Sequence, residues 1–94
     1  MSLAYYAVEL RCPEGGWSIL PQLSARARTA TEEMRADGIP VRFVRSIFVP
    51  EDDACLFLYE GPSVDDVRGA AAKAGLGWER IRGAERPAVR EGGG

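Results

Sequence analysis

Apolar and polar positions follow two rhythms along this chain, and the switches between them mark out six elements. Ala4 to Arg11 sets Tyr6, Val8 and Leu10 against Tyr5, Ala7, Glu9 and Arg11, the alternation of a half-buried strand. Cys12-Pro13-Glu14-Gly15-Gly16 ends it with turn residues. Leu20, Leu23, Ala27, Ala30 and Met34 then recur at helical spacing, which predicts one amphipathic helix from about Leu20 to Asp37, stopped by Gly38 and Pro40. Val41 to Val49 is apolar except at Arg42, Arg45 and Ser46 and is rich in β-branched and aromatic residues, as suits a second strand. Pro50-Glu51-Asp52-Asp53-Ala54 breaks the pattern and Cys55 to Tyr59 resumes it, so the two runs read as a hairpin with a five-residue loop. After Gly61-Pro62, Ser63 is placed to cap a helix whose first turn carries Asp65 and Asp66 and whose end is Gly75. Trp78 to Arg82 leaves room for a short last strand.

This order, βαββαβ, predicts an α+β ferredoxin-like domain over residues 4–83, with an antiparallel four-stranded sheet, two helices on one face and a polar tail over 84–94. If Val8, Leu10, Val44, Phe48, Leu56 and Leu58 point at the helices, then Tyr5, Ala7, Glu9, Phe43, Arg45, Ile47, Val49, Cys55, Phe57 and Tyr59 point away from them. So apolar a second face calls for a cover. A twofold packing of two such sheets, a dimeric α/β-barrel-like assembly, would supply one, so the expected partner is a second copy bound through the non-helical sheet face.

Composition adds mainly exclusions. The 94 residues suffice for one domain with one modest core. A net charge of -2, with both signs interspersed, offers no basic footprint for nucleic acid. No apolar run is long enough to span a bilayer and no leader precedes the first strand, so neither a nucleic-acid nor a membrane partner is expected and the location expected is cytoplasmic. Two cysteines are too few for a disulfide scaffold, and their spacing matches no metal finger.

The run RSIFVPEDDACLFLYEGPS, followed by VR and by AAAKAGLGWERI, resembles a family of small, mostly bacterial, actinobacterial-type proteins of unknown function that includes a nickel-binding, nickel-responsive member. The likeness covers roughly residues 41 to 82, with a weaker echo in the first strand, and joins the hairpin turn, the helix cap and the closing helix in one order. It implies a dimeric ferredoxin-like α/β fold and makes nickel the one cofactor to weigh. Nickel sites favour imidazole, thiolate and tetragonal nitrogen or oxygen donors, and this chain has no histidine. A metal here would have to use Cys12, Cys55, carboxylates or main-chain groups, so no cofactor is expected.

Among candidate sites, Glu51, Asp52 and Asp53 read as solvated turn residues. Cys12 and Cys55 read as small packed hydrophobes on opposite faces of the sheet, Trp17 as a lid and Trp78 as core. Glu9, Arg45, Tyr59 and Tyr5 form the constellation of interest, with Arg45 beside Tyr59 and reaching Glu9 past the small Ala7. A charged pair inside an aromatic face must read a partner chain or a polar ligand. The function expected is therefore a small, non-enzymatic dimer that binds a small ligand or metal ion at the sheet interface. The alternative is a cofactor-free monooxygenase or isomerase of a small aromatic substrate, with Arg45 as electrostatic stabiliser and Glu9 or Tyr59 as acid or base.

Overall fold

The computed structural model describes residues 2–12 and 16–85, and side chains over 2–12 and 18–85. The expected turn over 13–15, the Trp17 lid and the tail beyond residue 85 lie outside them. Strand β1 (Ala4–Arg11) is followed, through a short 3-10 turn at Gly16–Ile19, by helix α1 (Leu20–Ala36). Then come β2 (Arg42–Val49), a second 3-10 turn at Pro50–Asp52, β3 (Ala54–Gly61), α2 (Val64–Lys73) and β4 (Arg80–Ala84). The strands form one sheet in the order β2-β3-β1-β4, with every pairing antiparallel. This is the ferredoxin-like plan that the element order predicts.

Local chemistry explains the boundaries. The Ser63 hydroxyl accepts the Asp66 N–H at 3.2 Å, one of the amides that a helix start leaves unpaired, and Asp65 and Asp66 set negative charge beside the others. Both helices end in the same double bond. In α1 the N–H groups of Gly38 and Ile39 return to the carbonyls of Arg35 and Met34, and in α2 those of Gly75 and Leu76 return to Ala72 and Ala71. Gly38 and Gly75 take the positive φ, +91° and +75°, that this motif requires. Arg26 of α1 closes the end of α2 as well, donating from Nε to the Ala74 carbonyl at 3.0 Å and from Nη2 to that of Gly75 at 3.1 Å.

The core lies between the sheet and the two helices. Leu23, Ala27, Ala30 and Met34 of α1 and Val67, Ala70 and Ala71 of α2 meet Val8 and Leu10 of β1, Phe43 of β2 and Cys55, Phe57 and Tyr59 of β3. Phe43 packs its ring 5.7 Å from Phe57 and 5.6 Å, edge-on, from Tyr59, while the Arg28 guanidinium covers it at 5.2 Å. Thr31, buried in the α1 stripe, donates to the Arg28 carbonyl and accepts the Phe43 N–H at 3.4 Å.

Four expectations need correction. First, β3 is turned over: Cys55, Phe57 and Tyr59 face the helices, and Leu56 and Leu58 face away. Both alternations in this strand are apolar, so volume decides, and the larger aromatic set fills the space under the helices. Second, β2 changes phase. Phe43 pairs with Tyr59 and Arg45 with the adjacent Leu58, so Val44 is the extra residue of a β-bulge that sends Phe43 inward and Arg45 outward. Third, the hairpin loop holds four residues, with Val49 opposite Ala54 and Asp53 in the left-handed conformation at φ 51°. The last strand also starts two residues later than predicted and reaches Ala84.

Candidate ligand-binding recess on the bare sheet face

The face of the sheet away from the helices carries a recess of about 400 Å³, floored by Ala7, Leu56 and Leu58 and flanked by Ile47, Arg45 and Arg82. Pairing across all four strands explains its shape. Arg45 of β2 lies opposite Leu58 of β3, Leu58 opposite Ala7 of β1, and Ala7 opposite Arg82 of β4. One row thus runs Arg45, Leu58, Ala7, Arg82, with the main-chain positions of its two arginines three strand spacings, about 14 Å, apart. The methyl group of Ala7 is too small to fill the middle of that row, and this leaves the trough.

The neighbouring rows neutralise their charges internally. In one, Glu60 pairs with Arg42 at 3.0 Å. In the other, Oε1 of Glu9 lies 2.7 Å from Nε of Arg80. That contact is an ion pair in which the N–H is not directed at the oxygen, so this buried carboxylate oxygen accepts no hydrogen bond among the described residues. Arg45 and Arg82 have no carboxylate partner among the described residues, and both are exposed. The recess therefore offers an apolar floor and two free guanidinium groups, with the Glu85 side chain at its margin.

Of the four residues singled out in the sequence, the structure keeps three on this face and separates them. Tyr5 and Glu9 alternate with the inward Tyr6 and Val8, and Arg45 occupies its own row. Arg45 is neither buried in the chain nor paired with Glu9, because β4 brings Arg80 beside that carboxylate first. Tyr59 belongs to the opposite layer. Its hydroxyl is shut away without a hydrogen-bond partner among the described residues, and burial pushes its pKa upward. A catalytic set of Arg45 with Tyr59 is thus not assembled. Arg82 was missed because β4 was read as the weak end of the chain. The usable signal was Glu60: counting back from it by twos assigns Leu58 and Leu56 to the polar face, and the row then leads across to Ala7 and Arg82.

The two cysteines also differ from expectation, because both pack on the core side. Cys55 is fully buried within the core, and Cys12 is half-buried against it. Burial first, and then the neighbouring Cys12 side chain and the charge of Asp53, push the Cys55 thiol up to about 12.

Residues 6–83 match the sequence model of a family described as nickel responsive protein SCO4226-like. The chain belongs to that family. In fold it is similar to SCO4226 of Streptomyces coelicolor A3(2), known from a crystal structure, with a TM-score of 0.64 and 24% identity over 92% of this chain and 99% of that one. No curated relative matches the chain. The donors present do not fit the metal named by the family. Imidazole is absent from the whole sequence, and among the described residues no three of cysteine, aspartate and glutamate come together. Nor is any helix among the described residues long and apolar enough to cross a membrane.

Proposed function

We propose that this protein is a non-enzymatic homodimer that binds a small organic anion between its two bare sheet faces. One observation carries the reading: an apolar trough crosses the sheet face away from the helices, and at each end of one cross-strand row stands an arginine, Arg45 or Arg82, without a carboxylate partner among the described residues. A guanidinium donates in a planar fork suited to carboxylate or sulfonate oxygens, while Leu56 and Leu58 would take the apolar body of the same molecule. A second copy would cover Ile47, which is 38% exposed, and turn an open trough into an enclosed site. Enclosure matters because a charge-assisted pair is strong only where water is excluded. The proposal gives the chain no nickel centre, in keeping with its donor set.

Anilinonaphthalene sulfonate, an apolar ring system bearing one anion, tests the site. Its fluorescence should rise on binding the purified protein, and the response should fall at least about tenfold in affinity in the Arg45→Met, Arg82→Met double variant, a loss worth ~1.4 kcal/mol. Equal binding by the wild type and the double variant would sink the proposal. So would sedimentation showing a monodisperse monomer at tens of micromolar.

A further inference from the structure

We propose that Cys12 and Cys55 form a thiol-oxidation site at which peroxides convert the pair to an intramolecular disulfide. The strand register supplies the geometry. Cys55 lies opposite Leu10, and the main chain of Cys12 continues the same ladder, donating to the Asp53 carbonyl at 2.9 Å. Cys12, one residue past the end of β1 and two after Leu10, packs on the same side as Leu10, so Cys12 and Cys55 are diagonal neighbours on the core side.

Exposure divides the work between them. Cys12 is half-buried at the rim, and Cys55 is fully enclosed. A peroxide therefore reaches Cys12 first. Its thiolate attacks one peroxide oxygen, a sulfur–oxygen bond forms, the oxygen–oxygen bond breaks, and the other oxygen leaves as an alcohol, or as water if the oxidant is hydrogen peroxide. The Cys55 sulfur then attacks the sulfenic sulfur, and the sulfur–oxygen bond breaks. The departing hydroxide takes up the Cys55 proton as water. Two thiols lose two electrons and two protons, and the peroxide is reduced. Burial keeps Cys55 protonated until this second step, which makes it the resolving thiol rather than the primary target. The product would tie the end of β1 to the beginning of β3. It is independent of the recess, which lies on the other side of the sheet.

The test treats fully reduced protein with hydrogen peroxide, unfolds it, and counts free thiols with a colorimetric disulfide reagent beside intact-mass measurement. The expected result is loss of both thiols, a mass lower by about 2 Da and a peptide cross-linked between Cys12 and Cys55. In the Cys55→Ser variant, Cys12 should instead accumulate a dimedone-reactive sulfenic acid or oxidise further. Three results would each overturn the proposal: thiols that persist, a Cys12-to-Cys12 link between chains, or the same oxygen-adduct masses in wild type and Cys55→Ser. A protein that binds the anionic probe normally yet fails this test leaves the recess untouched.

Discussion

Two buried side chains hold costs that the fold absorbs. The Tyr59 hydroxyl has been taken out of water without a partner among the described residues, a cost of about 1–3 kcal/mol. Tyr59→Phe should therefore leave the urea midpoint unchanged or raise it, and a loss above about 1 kcal/mol would show that the hydroxyl is bonded after all. Cys55 and Tyr59 also make stability depend on alkaline pH. Burial raises both pKa values, so the native chain keeps protons that the unfolded chain gives up. The resulting stability is complete below the ordinary thiol value of 9.0 and drains away as pH rises towards about 12. Urea midpoints measured from neutrality upward should decline across that window, and less steeply in Cys55→Ala. Individual residues were the least legible part of the sequence. Glu9, Arg45 and Tyr5 could be placed on the bare face from alternation, but Tyr59 and Phe57 could not be told from Leu56 and Leu58 while every candidate was apolar. Arg80, the real partner of Glu9, depended on a pairing that no local pattern reveals.

Elements were far easier to read, because each is announced by chemistry within a few residues. Ser63, Gly38 and Gly75 stand where a helix cap or a left-handed turn needs them, and the α1 stripe from Leu23 to Met34 is the buried face. Removing the cap tests the most explicit of these signals. Ser63→Ala should cost about 1 kcal/mol, measured by chemical denaturation, since the Asp66 N–H then loses its acceptor. No loss would mean that water or the Asp66 carboxylate takes over the role. The bulge at Val44 was the element-level failure. Every residue on either side of it fits a strand, so nothing local betrays that one has been added. Only the pairing of Phe43 with Tyr59 and of Arg45 with Leu58 does so.

At the scale of the molecule, the antiparallel four-stranded sheet with two helices followed from element order, and the bare face from the apolar surplus in its strands. What the sequence overstated was how aromatic that face is: Phe43, Phe57 and Tyr59 went inside, leaving an aliphatic floor among arginines. The surface proposed to meet its copy is thus smaller and more charged than alternation suggested. Leu56→Asp should shift the species seen by sedimentation from dimer to monomer with the thermal midpoint little changed, because Leu56 lies outside the helix-side core. A variant that stays dimeric would place the interface elsewhere. Titration with nickel in a calorimeter should give weak heats or none, and tight stoichiometric binding would mean that thiolates or main-chain nitrogens replace imidazole. The bulge also governs how this chain should be compared with its relatives. Because Val44 lies outside the regular pairing, deleting it would restore plain alternation and leave Phe43, Arg45, Ser46, Ile47 and Phe48 in their present layers. Chain length is thus a free variable at this point of an otherwise register-bound strand. A relative with a straight strand should align here with a gap, and an ungapped alignment would trade inward residues for outward ones along the rest of β2.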